Sequence, residues 1–147
     1  MKVLVCGGRH YRARGKVFRV LDDLQRRLGG LITHVVTGSA TGADEHAEAW
    51  ADERGVQRVL CPANWNKLGR SAGPTRNALM LKLLVKSQDD KGLETSDIVL
   101  AFPGGAGTAD MVQRARVAGF TVILSDAPVV SGAETKTAQA EELFHGK

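Results

Sequence analysis

The sequence predicts a Rossmann-like, doubly wound α/β fold: a parallel five-stranded sheet with helices on both faces. Three observations carry that expectation. Short, continuous apolar runs alternate with helical apolar stripes along residues 1–124. Such runs mark strands buried on both faces. The order β-α-β-α-β-α-β-α-β needs crossover connections, and right-handed crossovers put helices over both faces. Glycine-bearing loops also follow three of the strands and lead into helices.

The elements follow in order. Residues 3–6 form the first apolar run. Over 15–28, Val17, Val20, Leu21, Leu24 and Leu28 share one helical face. The β-branched run 32–37 is the second strand. A helix over 43–54 puts Ala47, Trp50 and Ala51 on one face, and 56–61 is the third strand. Residues 62–72 lack periodicity and are expected as a long connection, a feature often tied to function. A helix starts near Pro74, where a missing N–H costs nothing, and carries Leu79, Met80, Leu83 and Leu84. Residues 97–102 are the fourth strand. Met111, Val112, Ala115 and Ala118 mark the next helix, and 120–124 is the fifth strand.

The chain has 147 residues. That length predicts one domain, placed at 1–124, and a C-terminal tail at 125–147. The tail reads as a short helix over 138–144 or as a frayed end. Hydrophobic residues at 43% and charged residues at 24% exclude wholesale disorder. Aromatics are only 5% while glycines number 17, which points to tight loops rather than an aromatic-lined cavity. The net charge is +4, and the tail holds more acids than bases, so the positive excess sits in 1–124. Arg9, Arg12, Arg14, Lys16 and Arg19 form a dense group that can meet phosphates or simply line a solvated helix face.

Cys6 and Cys61 are not in a Cys-x-x-Cys spacing and are expected as free thiols in a reduced compartment. The four histidines are scattered, so neither a metal site nor a cofactor is expected. No apolar run reaches membrane-spanning length, and the N-terminal run is too short for a signal-peptide core. A cytoplasmic protein is the expectation.

In open parallel sheets, ligands bind beyond the carboxyl ends of the strands. The loops Gly7–Tyr11, Gly38–Asp44 and Pro103–Thr108 must all emerge at that edge. Loops without Cβ atoms let backbone N–H groups approach phosphate, and a following helix adds the positive end of its dipole. Gly104, Gly105, Gly107 and Thr108 form the best such loop, with Thr108 both capping its helix and offering a hydroxyl. Gly8 and Gly42 belong to the other two loops. Arg9 can grip phosphate bidentately. Asp44 can accept from ribose hydroxyls or simply favour its helix dipole. Arg76 and Asn77, in a first helical turn, can reach the cleft. Trp65 can stack on a base, close a lid or anchor its loop, and His10 and Tyr11 can line the site. The dinucleotide fingerprint and the P-loop are both absent, which argues against an ordinary dehydrogenase or ATPase.

Several segments together resemble the YspA/cpYpsA-related branch of the SLOG superfamily. They are Val-Cys-Gly-Gly-Arg-x-Tyr at 5–11, Thr-Gly-Ser-Ala-Thr-Gly-Ala-Asp at 37–44 and Ala47-x-x-Trp50-Ala51. Pro62-Ala63-Asn64-Trp65, Ala72-Gly73-Pro74-x-Arg76-Asn77-x-x-Met80 and Phe102-Pro-Gly-Gly-x-Gly-Thr108 complete the set. The likeness spans about 2–124, with Ser39 where the branch usually has glycine. It implies a Rossmann-like protein that binds a nucleotide or nucleotide-derived ligand, as a sensor or binding protein. Relatives commonly pair through helices, which makes a homo-oligomer an expectation.

Two other branches supply alternatives. LOG enzymes release a base from a nucleoside monophosphate and carry Pro-Gly-Gly-x-Gly-Thr-x-x-Glu; that Glu falls at Met111 here. Methionine cannot stabilise an oxocarbenium-like state or position water. A hydrolase of N-glycosidic bonds would need a substitute carboxylate, with Asp44 the candidate catalytic residue. The DprA-like branch binds single-stranded DNA; the basic group fits it loosely, and the few aromatics fit it poorly. The expected ligand shell is therefore Gly8, Arg9, Gly42, Asp44, Arg76, Asn77, Gly104, Gly105, Gly107 and Thr108.

Overall fold

The computed structural model describes residues 1–126. Within them, β1 (Lys2–Cys6), β2 (His34–Thr37), β3 (Gln57–Leu60), β4 (Ile98–Ala101) and β5 (Val122–Leu124) pair side by side, all parallel. The order is β3-β2-β1-β4-β5. Five helices connect or follow them: α1 (Arg14–Arg27), α2 (Ala43–Arg54), α3 (Trp65–Leu68), α4 (Ala72–Lys82) and α5 (Ala106–Val117).

Alternation along the strands sorts the core into two layers. Val3, Val5, Val35, Ile98, Leu100 and Ile123 face α1 and α2, where Val17, Leu21, Leu24, Ala47 and Trp50 cover them. Leu4, Cys6, Val36, Val99, Ala101 and Val122 face the other way, under Met80 of α4 and Met111 and Ala115 of α5. The sheet is thus doubly wound, as its periodicity predicts. Each fully buried side chain of this size contributes about 1.5–3 kcal/mol. Asp22 of α1 ties the first layer together. It accepts from Trp50 Nε1 at 2.8 Å and from Arg54 Nε and Nη2 of α2 at 2.9 Å.

β2 and β4 start or end short of the expected runs for local reasons, while β1 starts one residue earlier than expected. Ile32 is buried, yet the Gln25 side chain occupies both its N–H and its carbonyl, at 2.8 and 3.0 Å. The ladder therefore begins at His34. Asp97 is also buried; its carboxylate accepts from the N–H groups of Lys2 and Val85, both at 2.8 Å, clamping the sheet rather than extending β4.

The connection expected over 62–72 is largely helical. Asn64 Oδ1 accepts from Lys67 N and starts α3; a 3-10 turn, Gly69–Ser71, then runs into α4. None of the α3 side chains is buried, so no apolar stripe announces it. The next helix starts at Ala72 rather than near Pro74, and Pro74 still lies in its first turn. Met80 and Leu84 are buried as expected, while Leu79 and Leu83 are exposed. No described helix is long and apolar enough to cross a membrane. The helix expected over 138–144 lies outside the described residues.

Candidate functional site

Strand order reverses between β1 and β4, and a cleft of about 720 Å³ opens there. This is the place where connections diverge to opposite faces and leave a crevice. Its walls are the loops after β1 and β4, with Asp44, Arg76, Asn77 and Met80 closing the side. Gly8 N donates to Pro103 O at 2.8 Å and joins the two loops.

The loop after β4 is open. Gly105 is the N-cap of α5, and no side chain caps the helix. The first turn of a helix has N–H groups with no intrahelical acceptor, and they point out of its N-terminal end. A Cβ added at Gly105 or Gly107 would meet nothing within 4 Å. Neither residue has a positive φ, so the fold does not require glycine at either place. Gly104 differs: a Cβ there would overlap Thr108 Oγ1 and stand 2.7 Å from Gly8 N. Thr108 is the third residue of α5, not its cap, which corrects the expectation of a capping role.

The loop after β2 is closed by the chain itself. Ala43 N donates to Gly8 O at 3.2 Å. Gly42 has φ +79°, and a Cβ there would overlap Gly8 O and lie 2.6 Å from the Arg9 carbonyl carbon. Gly42 therefore serves loop-against-loop packing, and it lies outside the lining of the main cleft. Asp44 Oδ2 accepts from Gly38 N at 3.1 Å and Ala40 N at 3.2 Å. Ser39 sits between these donors at φ +58°, a left-handed conformation that glycine adopts freely.

Two adjacent residues of α4 brace the two loops separately. Arg76 Nη1 donates to Gly38 O at 2.7 Å, and Arg76 Nε donates to Asn77 Oδ1 at 3.1 Å. Asn77 Nδ2 donates to Gly107 O at 3.1 Å and to Asp110 Oδ2 at 2.9 Å. Both Asn77 amide hydrogens are thus used on α5, so Asn77 acts through the loop it holds. Arg76 keeps further N–H groups of its five. Both residues lie one turn further along their helix than the sequence suggests, because the helix begins at Ala72.

Burial dominates the electrostatics of the cleft. It pushes the Asp44 carboxyl up to about 6, although the N–H of Ala40, the Arg76 charge and the N–H of Gly38 favour its ionised form. Burial, with Asp44 adding to it, pushes the Cys6 thiol up to about 12, so the cleft floor carries a protonated, unreactive thiol. Burial alone would raise Asp110, but its bonds from Asn77 and Arg114 outweigh this and hold its pKa below the ordinary value.

The structure brings nine of the ten expected shell residues to one cleft: Gly8, Arg9, Asp44, Arg76, Asn77, Gly104, Gly105, Gly107 and Thr108. Gly42 is the exception. His10 and Tyr11 also line it, while exposed Trp65 does not. Cys6, Ala40 and Met80 line it as well without having been singled out as site residues. Cys6 and Met80 read in the sequence only as core, since a residue at a strand end serves core and cleft together. The basic group is split. Arg14 pairs with Glu53 at 2.8 Å and Lys16 with Asp126, whereas Arg9 and Arg12 have no ion pair among the described residues.

Residues 1–68 match the YspA, cpYpsA-related SLOG family. The Gene 61 protein of Mycobacterium phage D29 is 35% identical over 130 residues, covering 83% of this chain and 94% of that protein. The chain belongs to the YspA, cpYpsA-related SLOG family. Membership in this SLOG family supports nucleotide-related binding in general. The matched stretch ends before the Pro103–Thr108 loop, so the openness of that loop is information the structure adds. Met111 is fully buried against the sheet.

Proposed function

We propose that the protein binds a nucleotide or nucleotide-derived ligand in the cleft between β1 and β4, as a sensor or binding protein. The observation that carries this reading is the pair of glycines at the start of α5. Glycine in a helical turn costs about 0.5–1 kcal/mol relative to alanine. At Gly107 nothing in the chain requires it, and an open glycine there suits a partner that approaches the backbone closely. Uncapped N–H groups, a helix dipole and Arg9 at the rim select an anion, and phosphate fits them. Asp44 Oδ1, free of hydrogen bonds among the described residues, then accepts from a sugar hydroxyl. Arg76 supplies further positive charge. Residues 1–124 form the binding domain, and the free thiols fit a cytoplasmic setting. Self-association through the exposed Leu79 of α4 and Leu83, its C-cap, is part of the same proposal.

A thermal-shift titration against mononucleotides, dinucleotides and single-stranded DNA tests the reading. A ligand at 100 times its dissociation constant adds about 2.7 kcal/mol to stability. A saturable shift with a nucleotide, lost in Gly105→Asp, is the expected result. A shift with DNA alone that vanishes at high salt would move the assignment to nucleic acid.

A second reading, N-glycosidic hydrolysis, rests on one observation: a cleft carboxyl, Asp44, brought to about 6, near the range useful for proton transfer. Under it, Asp44→Asn abolishes release of free base while the fold and nucleotide binding persist. Turnover that survives this change removes Asp44 from the chemistry.

A further inference from the structure

Beside the main cleft lies a shallower groove of about 380 Å³. Arg9, His10 and Tyr11 line both, so the two spaces share a wall. The far side of the groove holds Arg12, Thr41, Glu45 and His46. Neither Arg9 nor Arg12 has an ion pair among the described residues, while the neighbouring cations Arg14 and Lys16 are both paired. The backbone around the groove is fixed. Thr41 Oγ1 donates to Arg9 O at 2.9 Å, and His46 Nε2 is 3.1 Å from Tyr11 O. Two guanidiniums on a braced backbone stand against one carboxylate, Glu45, among the lining residues. The excess is positive, and it adjoins the main cleft along Arg9–Tyr11.

We propose that this groove is a second anion subsite, which takes the outer phosphate of a nucleoside di- or triphosphate whose inner phosphate sits at the α5 N-terminus. The inference rests on the nucleotide reading above and narrows its ligand class. Arg9, common to both spaces, bridges successive phosphates, and Arg12 meets only the outer one. Charge-assisted hydrogen bonds of this kind are the strong ones. Glu45 opposes the outer phosphate and sets how strongly the longer ligand is favoured.

The test is calorimetric titration of the full chain with the mono-, di- and triphosphates of the four ribonucleosides. The protein is compared with Arg12→Ala and Glu45→Gln. The expected result is a diphosphate bound about tenfold more tightly than its monophosphate. Arg12→Ala abolishes that preference and changes monophosphate affinity by less than about twofold. Glu45→Gln enlarges the preference. A monophosphate that binds as well as its diphosphate overturns the second subsite and leaves the nucleotide reading standing. So does a preference indifferent to both substitutions. Failure of every nucleotide, whatever its phosphate number, overturns both.

Discussion

The loops after β2 and β4 look alike in sequence and differ in packing. Both carry glycines, and both lead from a buried parallel strand into a helix. After β2, the space a Cβ would need is already filled by the chain: the Arg76 guanidinium at Gly38 and the backbone of the β1 loop at Gly42. After β4, Gly105 and Gly107 face open space. One glycine loop is packed against the chain at Gly38 and Gly42, while the other is packed only at Gly104 and is open at Gly105 and Gly107. The difference is legible only in three dimensions, because it depends on what the other loops bring to each site.

The comparison can be broken from either side. Its largest expected effect is at Gly42. Alanine there must adopt a positive φ and overlap the Gly8 carbonyl, so Gly42→Ala should cost about 3 kcal/mol in denaturant unfolding. A loss under 1 kcal/mol would show that the β1 and β2 loops are not locked together.

Asp44 comes next, since it holds the closed loop through the N–H groups of Gly38 and Ala40. Its folded pKa of about 6 lies above the ordinary 3.8. The folded state therefore keeps the proton between those values. The Asp44 contribution is fully present below about pH 4, falls as pH rises through 6 and is flat above. Asp44→Asn keeps an oxygen for the two N–H groups and removes the titration. It should flatten this part of the stability profile by about 3 kcal/mol. An unchanged slope between pH 4 and 6 would place the Asp44 carboxyl in water.

The smallest effect is at Ser39, which occupies a left-handed conformation that glycine adopts freely. Ser39→Gly relieves that conformation, and should raise stability by up to about 1 kcal/mol with no change in nucleotide binding. A drop in stability would mean that the Ser39 side chain contributes more than its backbone costs.

The sheet, its order of elements and both apolar layers are legible in the sequence. Parallel strands buried on two faces leave continuous apolar runs, and Val17, Leu21 and Leu24 keep helical spacing. α3 is not legible, because a four-residue helix that buries no side chain leaves no period. Most of the cleft lining is legible too, since glycine loops at the carboxyl edge of such a sheet converge by topology. The division of labour is not. Nothing in Arg76-Asn77 says that one side chain braces the β2 loop and the other braces α5. Nothing in Met111 except its helical spacing says that it packs against the sheet. These roles depend on contacts between residues 30 or more positions apart.

The central claim is that Gly107 serves a ligand and not the fold. The direct test measures stability and nucleotide affinity together in Gly107→Ala. The account predicts opposite signs: unfolding free energy rises by up to about 1 kcal/mol, because alanine favours the helix, while nucleotide affinity falls at least about tenfold. A variant that is more stable and binds nucleotide undiminished would contradict it, as would one that is destabilised, since the chain itself would then need the glycine.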